Sequence, residues 1–176
     1  MNKIQIIVNN GAGTGSAVAV WKETKEYLQE NGISYNAYLT RYEKHAVKLA
    51  GQICGKIPEG PIYLLVVGGD GTINEVLNGI TDFDRVRLGV IPTGSGNDFA
   101  RNLGILRNTR EDLREITACI GQEQNGEKLQ RIDLGKVSWE GCEKPRIFGI
   151  SAGAGLDAIV CKKALHSKLK KILNRF

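Results

Sequence analysis

Short apolar runs alternate with one-sided helical stretches over the first hundred residues. Ile4 to Val8 is almost wholly apolar, Ile62 to Val67 entirely so, and Val90-Ile91-Pro92 ends a shorter run. Runs of this kind that stop at glycines or polar turns read as strands buried on both faces. Between them, Ala17, Val20, Trp21, Thr24, Tyr27 and Leu28 recur at helical spacing, and so do Ala46, Leu49, Ala50 and Ile53 after His45. The pattern predicts strands at 3–9, 34–39, 62–67 and 87–91, alternating with helices at 16–31, 42–56, 72–79 and 97–103. Such alternation predicts an α/β fold: a doubly wound, mostly parallel sheet with helices on both faces. Thr109 with Asp112 predicts a capped further helix that carries Leu113, Ile116 and Ile120 inward.

The rhythm changes after residue 122. Gln122 to Lys128 is polar with a glycine and reads as a loop or hinge, followed by strands near 130–138 and 146–151 with Gly141 in the turn between them. The expected division is an α/β unit over 1–125 and the start of a β-rich unit over 126–176. Trp139 fits either core or rim and is assigned no role.

The chemistry lies where strands end. Val66 to Gly79 reads VVGGDGTINEVLNG: a strand, two glycines, an aspartate, a third glycine, a threonine, then a helix. Glycines there permit a sharp turn and close approach of backbone to ligand, and amides at a helix start suit an anion such as phosphate. Gly69 is expected to keep phosphate space open, so that a valine there would block it. Asp70 inside such a turn makes sense if a divalent cation bridges carboxylate and phosphate, or if the carboxylate accepts a proton from an attacking hydroxyl. A solvated Asp-Gly turn is the plain alternative. Thr93-Gly94-Ser95-Gly96-Asn97-Asp98 follows a second strand, and Asn9-Asn10-Gly11-Ala12-Gly13-Thr14-Gly15-Ser16 follows the first. Three such turns would gather at the carboxyl edge of a parallel sheet, the edge at which open α/β folds bind ligands.

Common nucleotide motifs are missing. No G-x-x-x-x-G-K-[ST] occurs, which excludes a P-loop. Gly11-x-Gly13 lacks a third glycine at Ser16, and the second strand ends in Leu39-Thr40-Arg41 with no acid for a ribose hydroxyl, so a Rossmann dinucleotide reading fails twice.

GGDGT with Asn74-Glu75-Val76, and GVIPTGSGNDFARNLG from Gly89 to Gly104, resemble the catalytic domain of diacylglycerol kinases and the related bacterial lipid kinases and sphingosine kinases. The opening turn resembles that family's N-P-x-[SA]-G-x-G with Asn10 in place of the proline, and Ser95 stands where threonine is more usual. Thr40 followed by His45-Ala46 fits its second-strand turn, and Ile132 to Gly135 and Gly149 to Ala158 resemble the crossing into its second domain. The resemblance implies an ATP-dependent lipid kinase that moves the γ-phosphoryl of ATP to a lipid hydroxyl, with diacylglycerol the default acceptor and Mg²⁺ assisting. It implies nucleotide contacts at Asn9, Asn10, Gly11, Ala12, Gly13 and Thr40, a phosphate lining from Gly68, Gly69, Asp70, Gly71, Thr72, Asn74 and Glu75, and a hydroxyl from Ser95. Asp70 is the implied catalytic residue, through Mg²⁺ or on the acceptor hydroxyl. Asn97 and Asp98 are expected to brace the site.

The family's second domain, a β-sandwich, implies an acceptor pocket between domains and mostly beyond Phe176, with a proton acceptor and a structural metal site further on. The chain is therefore expected to be a truncated kinase, inactive alone. NAD kinases share a GGDGT turn, but GSGNDFAR resembles the lipid kinases. A non-catalytic nucleotide-binding module is the rival from another class.

Charge and composition refine the picture. Twenty-four Lys and Arg face 19 Asp and Glu for a net +5, yet six of the cations and none of the acids lie in 159–176. Elsewhere the balance is near zero, so no nucleic-acid partner is expected. That segment is also one-sided, with Leu165, Leu169, Ile172, Leu173 and Phe176 at helical spacing. Packing on its own or another domain is the favoured reading; contact with anionic lipid is the alternative. No apolar run reaches the ~18 residues of a membrane span. A strand beginning near Lys3 leaves no room for a signal peptide, and Cys54, Cys119, Cys142 and Cys161 are too widely spaced for zinc or redox pairs. A cytoplasmic protein, peripheral at the membrane if the tail binds lipid, is expected, and a homodimer stays open. His45 reads as a helix-face residue near the ligand edge rather than a base.

Overall fold

The computed structural model describes residues 3–9, 11, 16–105, 108–122 and 129–166. Its order is β1 (Ile4–Val8), α1 (Ser16–Glu30), β2 (Tyr35–Leu39), α2 (His45–Lys56), β3 (Ile62–Gly68), α3 (Asp70–Leu77), β4 (Val86–Pro92), α4 (Asp98–Asn102), α5 (Thr109–Gln122), β5 (Gly135–Val137), β6 (Arg146–Phe148) and α6 (Leu156–His166). The first four strands form one parallel sheet in the order β2-β1-β3-β4. Strand order reverses between β1 and β3, and that is where an open α/β sheet leaves a crevice beyond its carboxyl edge.

Alternation along the central strands divides the core in two. Ile7, Leu64, Val66 and Val90 face α2, α3 and α4, packing on Ala46, Leu49, Ile53, Ile73, Val76 and Phe99. Ile4, Ile6, Val8, Leu65, Val67 and Ile91 face the other way, onto Trp21 and Leu28 of α1 and Leu113 of α5. The seven residues of β3 are all buried, as a strand covered on both faces requires. Just after α3, Gly79 packs directly on α2, where an added Cβ would collide with the Val47 carbonyl oxygen. On the other face Arg110 clamps α5 to α1, its guanidinium donating to both carboxylate oxygens of Glu30 at 2.9 and 3.0 Å. Those bonds hold the Glu30 carboxyl below its ordinary range.

Several boundaries differ from the sequence expectation for local reasons. α2 begins at His45, three residues late, because Lys44 turns left-handed (φ 65°) immediately before it. α3 begins at Asp70, two residues early, because the Gly69 carbonyl accepts the amides of Thr72 and Ile73 at 2.9 and 3.1 Å. The cap of α5 is Asn108 rather than Thr109: Asn108 Oδ1 accepts the Glu111 amide at 2.9 Å, and Thr109 is already helical. The late strands are shorter than expected and pair antiparallel as a separate ribbon, with Gly141 (φ 78°) in their connection. Of the basic tail, 167–176 lies outside the described residues, as does nearly all of the polar loop after residue 122. Among the described residues, no helix is long and apolar enough to cross a membrane.

Candidate functional site

Three strand ends meet at the carboxyl edge. Asn9, just past β1, donates its amide N–H to the Val67 carbonyl at 2.9 Å. Its side chain crosses the β1–β3 crevice, with Nδ2 donating to Thr72 Oγ1 at 2.8 Å and Oδ1 accepting the Gly11 amide at 3.1 Å. Asn10, Ala12 and Gly13 lie outside the described residues. Thr40, just past β2, donates its amide to the Val8 carbonyl at 2.9 Å and so sits on the same edge, one strand away.

The turns after β3 and β4 touch backbone to backbone. A Cβ at Gly69 would stand 3.1 Å from Gly94 Cα, and one at Gly94 would stand 3.0 Å from Gly69 Cα. This corrects the expectation for Gly69: the space its missing side chain leaves is filled by the neighbouring turn. Gly68 is equally constrained, a Cβ there falling 2.8 Å from Thr72 Cβ. Gly71 is the position that opens onto free space. Asn97 stiffens the second turn from a left-handed conformation (φ 54°), which asparagine tolerates. Its Oδ1 accepts the Gly94 amide at 2.9 Å while its Nδ2 donates to the Gly94 carbonyl at 2.7 Å. Ser95 is exposed in the middle of this turn.

Asp70 ties the two turns together. Its Oδ2 accepts the Asp98 amide and its Oδ1 the Phe99 amide, each at 3.1 Å, so the carboxylate of the first turn caps the helix that follows the second. A carboxylate offers about four lone-pair positions; two are engaged here, and the others stay available. A Cβ at Gly96 would stand 3.1 Å from Asp70 Oδ2 and 3.8 Å from Asp98 Oδ2. Two carboxylate oxygens thus flank one small space that glycine leaves empty. Asp98 also holds Arg101 at 2.9 Å on the exposed side.

Glu75 is placed differently from its neighbours in the motif. Its two carboxylate oxygens accept the amides of Lys44 and Ala46 at 3.0 and 3.2 Å, which caps α2 across a sequence gap of about thirty residues. The glutamate serves the frame beneath the second-strand turn. His45 opens α2, its Nδ1 accepting the Arg41 amide at 3.1 Å and its ring stacked on Tyr42 at 4.3 Å. Asn74 carries an acceptor for Asn78 at 3.4 Å.

Beside Asp70 opens a cleft of about 550 Å³ between α3, α4 and the β5–β6 ribbon, lined among others by Asp70, Asn74, Asp98, Phe99, Trp139 and Arg146. Its carboxylates lie toward the turns, and Val137 and Ile150 add apolar surface from the ribbon side. Trp139, given no role from sequence, is 57% exposed on this wall. The only signal for it in the sequence is a tryptophan two residues before a turn glycine, which does not specify a cleft.

The family pattern described as the diacylglycerol kinase catalytic domain matches residues 3–137, which run from β1 through β5. The chain belongs to that family. It is 36% identical over 136 residues to a diacylglycerol kinase of Bacillus subtilis, covering 74% of this chain and 40% of the relative. It is 34% identical over 175 residues to a diacylglycerol kinase of Staphylococcus carnosus, covering 99% of this chain and 51% of the relative. The chain spans about half the length of the curated relatives it matches. Among solved structures, a diacylglycerol kinase of Bacillus anthracis superposes with a TM-score of 0.55 at 30% identity, over 66% of this chain and 42% of that one. The α/β architecture with its parallel sheet thus has a structural neighbour in the diacylglycerol kinase fold.

Proposed function

We propose that this chain is the nucleotide-binding portion of an ATP-dependent lipid kinase that phosphorylates a lipid hydroxyl, with diacylglycerol the acceptor. Residues 1–125 form the nucleotide unit and 126–176 begin the β-rich unit. The observation that carries the reading is the Asp70 carboxylate, which binds the amides of Asp98 and Phe99 and also lines the adjoining cleft. One group then touches both halves of a transfer reaction: phosphates above the turns and an acceptor in the cleft.

Phosphoryl transfer needs chiefly positioning and charge neutralisation. The Asn9–Thr72 bridge fixes the crevice, and the Gly69–Gly94 contact fixes the spacing of the two turns. Gly71, open to solvent, lets a phosphate approach the start of α3, where amides and helix dipole favour an anion. Thr40 and Ser95 supply hydroxyls on either side. Glu75 acts by holding the second-strand turn in place.

The residues present fit Mg²⁺. Among the described residues no three His, Cys, Asp or Glu cluster, but Mg²⁺ is ordinarily held by one or two carboxylates with substrate phosphates and water. Asp70 and Asp98, facing one another across Gly96, are that pair. The ion would supply neutralisation of the phosphate charge. Asp70 also stands within the cleft, in position to take a proton from an acceptor hydroxyl if no other base is supplied.

The cleft beside Asp70 is the acceptor site in this reading, which puts more of that site within these residues than the sequence led us to expect. Its carboxylate end suits a hydroxyl and its Trp139, Val137 and Ile150 wall suits glyceride carbon. The 176 residues by themselves should bind nucleotide and transfer little, because general-base help is worth ~10²–10⁴-fold and both oxygens of Asp70 already accept backbone amides, which weakens it as a base. Titration calorimetry with ATP and Mg²⁺, followed by incubation with γ-labelled ATP and diacylglycerol micelles, tests the proposal. Saturable ATP binding without labelled phosphatidic acid is the expected result. Labelled phosphatidic acid from this chain alone would make Asp70 the base. Absence of ATP binding would overturn the proposal.

A further inference from the structure

The two walls of the cleft come from distant parts of the chain, and one side chain joins them. Asn78, the residue after α3, donates from Nδ2 to the Ile147 carbonyl at 2.8 Å and accepts the Ile147 amide on Oδ1 at 2.9 Å. A side-chain amide thus pairs with the backbone of β6 as a neighbouring strand would. The same Nδ2 also donates to the Asn74 carbonyl at 2.8 Å, which fixes its rotamer against α3. Three bonds of ordinary length on one partly buried amide make a rigid joint.

The joint lies at the far end of the helix that starts at Asp70. α3 spans the cleft floor, with Asp70 and Asn74 at one end and Leu77 at the other, and the ribbon that Asn78 holds supplies Trp139, Arg146 and Ile150. Close packing adds a stop beside the joint: a Cβ at Gly149 would stand 2.6 Å from the Phe99 ring. The ribbon therefore cannot settle deeper, and Asn78 keeps it from lifting away.

We propose that Asn78 is a positioning residue for the acceptor: by pairing with Ile147 it sets the distance between the ribbon wall and the Asp70 carboxylate, and so decides how an acceptor hydroxyl is presented. The inference rests on the lipid-kinase reading of the cleft. It assigns Asn78 to the acceptor half of the site alone, since none of its hydrogen bonds among the described residues reaches the turns at 68–72 or 94–97. A merely structural residue would weaken both ligands or neither.

The test compares the whole chain with Asn78→Asp and Asn78→Ala. Aspartate keeps the size and the acceptor but loses the donors to Ile147 and Asn74, so it serves if the alanine variant folds poorly. ATP binding is read by calorimetry, and binding of 1,2-dihexanoylglycerol by the fluorescence of Trp139 in a Trp21→Phe background. Amide exchange of residues 146–149 reports the ribbon directly. Expected are faster exchange in that segment, a rise of about tenfold or more in the dihexanoylglycerol Kd, and an ATP Kd within about twofold of the parent. Ile120→Ala, a destabilising change beside the opposite core, should leave both affinities unchanged. Unaltered exchange at 146–149, unaltered dihexanoylglycerol affinity, or an equal loss for ATP each overturns the inference while leaving the kinase reading intact. No dihexanoylglycerol binding by the parent protein would instead remove the acceptor reading, and this inference with it.

Discussion

Replacing Asp70 by asparagine separates the cap its carboxylate forms from the phosphate-site role proposed for it. Asp70 holds two backbone amides, one on each oxygen, at 3.1 Å. Asparagine has one acceptor oxygen, and its NH₂ group would face an N–H, so one amide at the start of α4 loses its partner. An orphaned donor is worth ~1–3 kcal/mol. The bond to Asp98 is exposed and that to Phe99 only partly buried, so water offsets some of the loss and ~1–2 kcal/mol is the fitting range. At the ~2–4 °C per kcal/mol typical of chains this size, Tm should fall by about 2–8 °C. ATP affinity in Mg²⁺ should fall at least about tenfold, or ~1.4 kcal/mol, as the turns lose register and the space at Gly96 loses a charge. Asp98→Asn is the comparator: it leaves the Asp70 cap intact, so it should weaken MgATP with little change in Tm. Scanning fluorimetry and calorimetry on the three proteins read both quantities. An Asp70→Asn protein with the parent's Tm would show that the two amide bonds carry no weight. One with the parent's MgATP affinity would reduce Asp70 to a turn residue.

Gly69→Val should lower both stability and ATP affinity, because its side chain would drive into Gly94, whereas Gly71→Ala should leave Tm unchanged and reduce only ATP affinity; calorimetry with parallel melts distinguishes them. Equal behaviour of the two variants would refute the backbone contact between the turns. The Glu30 carboxyl is held below its ordinary value of 4.5 chiefly by hydrogen bonds from Arg110. Its contribution is therefore complete above about that pH and is lost as pH falls through the lowered folded value. Arg110→Ala should flatten the acid limb of a Tm-against-pH curve, by an amount that shrinks in high salt because both groups are exposed.

The parallel α/β sheet and the glycine-rich strand ends were legible because they follow from local pattern. Continuous apolar runs such as Ile62 to Val67 specify a strand covered twice, and G-G-D-G-T after one of them specifies a tight turn into a helix. What escaped were partnerships set by tertiary distance. Glu75 sits inside the motif, yet its carboxylate is drawn to amides at Lys44 and Ala46, exposed by a left-handed residue that no periodicity announces. Asp70 was visible as chemistry but not as the cap of α4, since its partners lie 28 and 29 residues away. Asn108 displaced Thr109 as a cap because both residue types serve that position, and the side chain that reaches the Glu111 amide is decided by where the chain enters α5. Trp139 and Asn78 acquire meaning only once the ribbon lies against α3, a placement that three-residue strands cannot encode by alternation.

The central claim is that a nucleotide's phosphates sit on the turns after β3 and β4, beside Asp70. The most direct measurement is backbone amide mapping of this chain during titration with ATP and Mg²⁺, by nuclear magnetic resonance. The account predicts saturable shifts concentrated at Gly69 to Thr72 and Gly94 to Phe99, larger with Mg²⁺ than without, and absent when NAD⁺ replaces ATP at the same concentrations. Shifts confined to other segments, or none at millimolar ATP, would contradict it.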